Sequence, residues 1–248
     1  MRILLAGESW SMVTIHQKGF DSFQTTDYDE GHRWLSAAIK AAGHELDYLP
    51  SHRAMDEFPY TPEDLAPYDA VLLSDIGSNT LLMPKAVFLN SEPRPNRLES
   101  LRTFVEQGGG LVMIGGYLTF NGIDGKANYG KTPIADVLPV HLQAGDDRVE
   151  APQGATPTVV APEHPIAAGL PETWPVVLGY NRLRPKDGST VIATAGKDPL
   201  LTAGTFGSGR SVAYASDCGP HWAPPSFVEW DGYARLWQQI VRWVGGRN

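Results

Sequence analysis

Runs of apolar residues alternate with amphipathic segments along the first half of the chain. Residues 2–6, 68–74 and 111–114 are almost entirely apolar, as strands covered on both faces are. Residues 31–42 and 96–107 place apolar side chains at helical spacing, and a glycine follows each segment. This alternation predicts a mostly parallel sheet with helices on both of its faces.

The pattern changes after Gly115. Residues 115–183 show little periodicity, and we interpret them as an irregular excursion within a single domain spanning residues 1–248. The prediction is an α/β fold, a flavodoxin-like three-layer sandwich whose mostly parallel sheet has an antiparallel extension. The later predicted elements are strands at Thr190–Ala195, 200–205 and 210–215, and an amphipathic helix at 230–244.

Residues 11–30 separate the first predicted strand from the first predicted helix. They are mostly polar, carry several aromatic side chains and lack helical periodicity. We predict a folded loop over a site, in which His16 and Lys18 close over a ligand. The alternative is a surface loop held down by Phe20 and Phe23, with both polar side chains in solvent.

Composition narrows the classes of partner. The formal net charge of −8, without a run of Lys or Arg, argues against nucleic acid. No apolar stretch approaches the ~20 residues of a membrane span, so we expect a cytoplasmic protein that binds a small molecule; a homo-oligomer is also compatible. The sequence lacks HExxH, paired CxxC and P-loop patterns, so no metal or cofactor is predicted.

Chemically useful side chains follow the predicted strands. Glu8, Asp75 and the Gly116-Tyr117 pair each come directly after a buried run, and Asn79 lies a few positions beyond Asp75. Ligands of parallel sheets bind outside the carboxyl ends of the strands, so we expect these residues to line one crevice. Glu8 is a candidate acid or base or, alternatively, an anchor for the following loop; Asp75 is a candidate ligand contact or a turn cap.

The only cysteine, Cys218, follows the last predicted strand and stands three residues before His221. Such a pair suggests a nucleophile activated by a base, with Asp217 either orienting the histidine or raising the pKa of the thiol. The alternative is a small buried cysteine in a loop packed by His221 and Trp222.

Several segments resemble a known superfamily. Residues 107–117 resemble the strand and turn that lead to the nucleophile elbow in the class I glutamine amidotransferase-like superfamily. Residues 209–214 and 233–243 are similar to the closing segment of its trehalose-utilisation (ThuA-like) branch, and residues 7–10 and 73–79 extend the resemblance to nearly the whole chain. At the elbow, where these enzymes carry their catalytic cysteine, this chain has Gly115 and Gly116, so ordinary glutaminase chemistry is not expected.

Two functions are compatible with these observations. The first is a hydrolase or transferase acting on a small amide-like or carbonyl compound, with Cys218 as nucleophile, His221 as base and Glu8 as a supporting acid or base. Backbone amides near Gly116 and Tyr117 would stabilise an oxyanion. The second is a non-catalytic protein that binds a small molecule or carbohydrate on the stacking surfaces of Trp10, Tyr117 and Trp222.

Overall fold

The computed structural model describes residues 1–246, and its largest sheet has eight strands within that range. The first five in spatial order are parallel, and the last three extend the sheet in antiparallel fashion. The parallel strands follow the order 2-1-3-4-5 of flavodoxin-like sheets, which confirms the predicted fold class. Across the sheet they are β4 (Glu45–Leu49), β1 (Arg2–Gly7), β5 (Ala70–Ser74), β6 (Gly110–Ile114), β14 (Gly209–Tyr214), β13 (Asp198–Phe206), β12 (Thr190–Ala195) and β9 (Pro157–Val159).

Helices flank this sheet. Two amphipathic helices, α1 (Arg33–Ala41) and α9 (Tyr233–Gly245), pack against each other. The Gln238 side chain of α9 donates a hydrogen bond to the Ala38 carbonyl of α1 (3.0 Å). Helix α6 (Arg97–Glu106) begins where the Asn96 side chain accepts two backbone N–H bonds. The shorter helices are α2 (Ser51–Glu57), α3 (Pro62–Leu65), α4 (Ser78–Leu82), α5 (Lys85–Phe88), α7 (Ile134–Val137) and α8 (Pro225–Val228), with 3₁₀ turns at Ile123–Gly125 and Tyr129–Lys131.

The predicted excursion is more regular than expected. It contains β9 of the main sheet and two small antiparallel pairs. Short strands interrupted by proline and glycine leave little periodicity in the sequence, which explains why they were not predicted. The pairs join β8 (Arg148–Ala155) to β10 (Val177–Asn181), and β7 (Val140–Leu142) to β11 (Leu183–Pro185).

The predicted loop at residues 11–30 is wrong, because this segment forms a β-hairpin. Strand β2 (Ser9–Lys18) pairs antiparallel with β3 (Asp21–Glu30) in continuous register. Gly19, with φ of 65°, occupies the first position of the two-residue turn, where glycine is favoured. Both faces of the hairpin are exposed, so the burial that produces alternation in a sequence is missing here.

Within residues 1–246, no helix is both long and apolar enough to cross a membrane.

Candidate functional site

A pocket of about 290 Å³ opens at the carboxyl ends of the parallel strands. The structure brings six of the residues selected from the sequence into its wall, although they come from distant parts of the chain. The lining residues are Glu8, Trp10, Asp75, Tyr117, Asp217, Pro220 and His221.

Two acidic residues in the pocket wall have unusual backbones. Glu8 (φ 50°) follows β1 and Asp75 (φ 44°) follows the adjacent strand β5, and both lie in the left-handed region that non-glycine residues seldom adopt. The Glu8 amide donates to the Ser74 carbonyl (2.7 Å) and so holds the two strand ends together. Left-handed residues of this kind concentrate at ligand sites, where the surrounding structure must hold them in place.

The Glu8 carboxyl is almost entirely buried, with 2% of the residue exposed. Burial, followed by the charge of Asp75, raises its pKa to about 7. The Ser74 hydroxyl donates to Glu8 Oε2 and partly offsets these effects. At neutral pH, Glu8 is therefore close to its titration midpoint, which is the condition for exchanging protons with a ligand.

Asp217 and Asp75 lie near Glu8, and burial raises the pKa of both, as it does for Glu8. Burial, then the charges of Glu8 and Asp75, raise the pKa of Asp217 well above its usual value. Burial also raises the pKa of Asp75, although backbone amides and the nearby His221 act in the opposite direction. Three carboxyl groups thus share one end of the pocket, and the charges of Asp75 and Glu8 favour the protonated form of their neighbours Glu8 and Asp217.

Cys218 is fully buried behind this acidic group. Its Sγ lies 3.7 Å from the Ser74 hydroxyl, and its carbonyl accepts a hydrogen bond from Tyr233 (2.5 Å). Burial, then the charges of Glu8 and Asp217, raise the pKa of the thiol well above its usual value. The thiol therefore stays protonated and serves as a hydrogen-bond donor toward Glu8.

His221 forms part of the aromatic side of the pocket wall. Its ring is exposed, packs edge-on against Tyr117 (4.4 Å between centroids) and stacks on Trp222 (5.6 Å). Within residues 1–246, no hydrogen bond joins it to Cys218. The structure places the predicted pair in one loop but supplies neither the contact nor the lowered thiol pKa that the predicted mechanism needs.

The backbone amides expected to stabilise an oxyanion are already occupied. The Gly116 amide donates to Asn181 Oδ1 (3.1 Å), the Leu118 amide donates to Asp75 Oδ1 (2.7 Å), and a hydrogen bond from the Tyr117 backbone lowers the pKa of Asp75. The elbow also has no room for a side chain, because a Cβ at Gly115 would overlap the Ala215 carbonyl. Asn181, which also donates to the Gly116 carbonyl (3.2 Å), thus holds the Gly116 backbone, and the Gly116 amide is not a free ligand donor.

One side of the pocket is aromatic and is supported by Glu150. This carboxylate accepts bonds from the Tyr117 hydroxyl and from Trp222 Nε1, both at 3.0 Å. The Arg148 guanidinium lies 4.6 Å from the centre of the Tyr117 ring. Trp222 is only 1% exposed, so it supports the wall and does not offer the predicted stacking surface. The aromatic side chains that line the pocket are Tyr117, Trp10 and His221.

Three predicted binding residues lie outside the pocket wall. His16 and Lys18 are on the exposed hairpin, where the His16 ring stacks on Phe23 at 4.5 Å. Asn79 is exposed on α4. Conversely, sequence reasoning missed Ser74 and Glu150. Ser74 ends a predicted strand next to Asp75 and could have been found by its position, whereas Glu150 has no local signal.

Glu8, Asp217 and Cys218 each present one donor atom, and these atoms lie within 4.8 Å of one another, a spacing that metal sites also show. Hydrogen bonds already engage all three side chains. Ser74 Oγ contacts both Glu8 and Cys218, and the Gly219 amide donates to Asp217 (3.3 Å). The expectation of no metal stays a prediction.

The sheet order, the glycine elbow and the pocket at the strand ends define a glutamine amidotransferase-like α/β protein. The chain belongs to the family described as "Putative glutamine amidotransferase", whose model matches residues 2–246. A search of curated proteins gives no match.

Solved structures agree with this assignment. The chain is similar to the cytoplasmic protein STM3548 of Salmonella typhimurium (43% identity, 98% of this chain and 99% of that one, TM-score 0.96). It is also similar to the cytoplasmic protein STM1381 of Salmonella typhimurium LT2 (45% identity, 98% and 99%, TM-score 0.95). A "Putative thua-like protein" of Parabacteroides merdae shares the fold at 14% identity (99% and 90%, TM-score 0.61).

Proposed function

We propose that this protein is a hydrolase or transferase that acts on a small molecule and uses the Glu8 carboxyl to transfer protons. The observation that carries the proposal is a buried carboxyl in a pocket wall with its pKa raised to about 7. A general acid or base works best when its pKa lies near the operating pH. The proposal replaces the cysteine nucleophile, because burial between carboxylates keeps the Cys218 thiol protonated.

The pocket restricts the substrate. Its volume of about 290 Å³ lies at the lower end of ligand sites, which suits a small metabolite. The acidic side of the pocket, made by Glu8, Asp75 and Asp217, repels anions, so we expect a neutral or cationic compound. A small amide or carbonyl compound fits these limits, with its apolar face against Tyr117 and Trp10.

A second candidate is non-catalytic binding of a neutral carbohydrate. The aromatic wall favours it, because Tyr117 and His221 meet edge-on and present ring surface beside carboxyl acceptors. In this case Glu8 accepts hydrogen bonds from the ligand, and no bond is broken.

Turnover of a panel of small chromogenic amides, esters and glycosides tests the proposal. For any compound that is cleaved, kcat/KM should change through an inflection near pH 7, and Glu8→Gln should lower it by about 10² to 10⁴. The exposed Glu63→Gln is the matched control and should leave the rate unchanged. A Glu8→Gln variant with wild-type kcat/KM would contradict the proposal.

Calorimetric titration with neutral monosaccharides distinguishes the second candidate, a carbohydrate-binding protein, from the enzyme. Binding without turnover of any panel compound, weakened by Glu8→Gln, favours the binding protein. We also propose a cytoplasmic location, which is supported by the description of both Salmonella relatives as cytoplasmic.

A further inference from the structure

The hairpin formed by β2 and β3 leaves its side chains uncovered. Every side chain in residues 11–29 is exposed except that of His16, which is half-buried. Val13 and Ile15 are 61% and 65% exposed, and Phe20 at the turn is fully exposed. A two-stranded hairpin is at best marginally stable alone in water, and exposed apolar patches often mark interaction sites.

The two faces of the hairpin differ in charge. Directly opposed residues of an antiparallel pair point to the same face, so the register assigns every side chain to one side. At its base one side carries the pair Ser9–Glu30, where the Glu30 carboxylate accepts a hydrogen bond from Tyr28 (2.6 Å) and lies 3.1 Å from His32 Nε2. We call the part of this side beyond that pair the uncharged face; it comprises the pairs Ser11–Tyr28, Val13–Thr26, Ile15–Gln24 and Gln17–Ser22. The opposite face comprises Trp10–Asp29, Met12–Asp27, Thr14–Thr25, His16–Phe23 and Lys18–Asp21.

We propose that the uncharged face packs against the same face of a second copy of this chain. A two-fold contact sets a surface against itself, so a like charge on that surface meets its own copy. The uncharged face avoids this repulsion, whereas the opposite face carries three aspartates (Asp21, Asp27 and Asp29) against the single cation Lys18, so two copies would meet there with a net negative charge on each. Since the chain has a net charge of −8, a neutral surface is where two copies meet at the lowest electrostatic cost.

The side chains of this face suit sheet packing. Val13, Thr26 and Ile15 are β-branched, Tyr28 is aromatic, and such residues pack well between two sheets about 10 Å apart. The uncharged face spans residues 11–17 of β2 and 22–28 of β3, which makes it about 24 Å long and only two strands wide. This is smaller than a standard protein interface, so we expect a dimer with a dissociation constant of roughly micromolar order.

Sedimentation equilibrium of the full chain, from about 1 μM to about 1 mM, tests this proposal. Wild type should move from 27.0 kDa toward twice that mass as concentration rises. Ile15→Lys places a charge on the uncharged face and should raise the dissociation constant at least tenfold. Thr14→Lys is the matched control, because it adds the same charge to the next residue on the opposite face.

Ile15 and Thr14 are both exposed, so we expect both variants to fold. Unfolding midpoints close to that of wild type check this. The proposal is overturned if wild type stays monomeric over the whole range. It is also overturned if Ile15→Lys associates as wild type does, or if Thr14→Lys weakens association as strongly as Ile15→Lys.

Discussion

Glu8 and Asp147 are both buried acids, but their surroundings differ. The Asp147 carboxylate accepts N–H bonds from the Asn121 amide (2.8 Å), the Gly122 amide (2.9 Å) and Asn181 Nδ2 (2.8 Å). Glu8 instead meets the Ser74 hydroxyl, a thiol and two further carboxyl groups.

The comparison separates a structural acid from one suited to chemistry. N–H donors cannot accept a proton back, so they stabilise the anion of Asp147 and counteract the rise in its pKa that burial causes. Hydroxyl, thiol and carboxyl neighbours can share or exchange protons, and they leave Glu8 poised near neutrality.

Removal of Asp147 should give the largest change in stability. Asp147→Ala leaves two buried backbone amides and the Asn181 side chain without their acceptor, so we expect a loss of about 3 to 5 kcal/mol in the free energy of unfolding. Urea unfolding at pH 7 measures it, with the exposed Asp187→Ala as control. A loss below about 1 kcal/mol would mean that these N–H groups find other partners.

Glu8→Gln should increase the free energy of unfolding, in contrast to Asp147→Ala, and the size of this increase should depend on pH. The folded-state pKa is raised from 4.5 to about 7, so the folded state binds more protons between these values and stability falls as pH rises through that window. The penalty is absent below pH 4.5 and complete above pH 7, where it reaches about 3 kcal/mol. Glu8→Gln should therefore stabilise the protein at pH 8 and change little at pH 4.5.

Denaturant unfolding of wild type and Glu8→Gln at both pH values tests this expectation. Glu63→Gln controls for the loss of one negative charge at the surface. Equal stabilisation at pH 4.5 and pH 8 would show that the gain does not come from the ionisation of Glu8.

The smallest effect should come from Cys218→Ser. A hydroxyl can still donate toward Glu8, so we expect less than about 1 kcal/mol in stability and less than about tenfold in any rate that depends on Glu8. In wild type, the thiol should react with iodoacetamide far more slowly than a free thiol at pH 8, because burial and carboxylates raise its pKa. Rapid alkylation of Cys218, or loss of all activity in Cys218→Ser, would contradict this expectation and would support Cys218 as the nucleophile.

Burial determined how much of the fold could be predicted. Strands β1, β5 and β6 are covered on both faces and appear in the sequence as apolar runs. Their parallel order then implies that Glu8, Asp75 and Tyr117 meet at one edge, as the structure shows. The β2–β3 hairpin has no buried face, so the same reasoning could not find it.

The state of the site residues depends on contacts between distant segments. Glu150 lies 33 residues from Tyr117, and nothing near it in the sequence indicates that it supports the pocket wall. A cysteine three residues before a histidine indicates a possible nucleophile, but the pKa of the thiol depends most on burial and on Glu8, which only the fold supplies, and then on the adjacent Asp217. The sequence therefore identified which residue types could form the site, but it could not show whether each titratable side chain is protonated.

The hairpin leaves the body of the protein and returns to it at adjacent points. Ser9 pairs with Glu30, and the Gly31 amide donates to the Glu8 carbonyl (3.1 Å), which closes the junction beneath it. We therefore expect that a change in the length of the segment between Ser9 and Glu30 alters the exposed surface of the hairpin and leaves the register of β1 with β4, and the pocket beside it, in place.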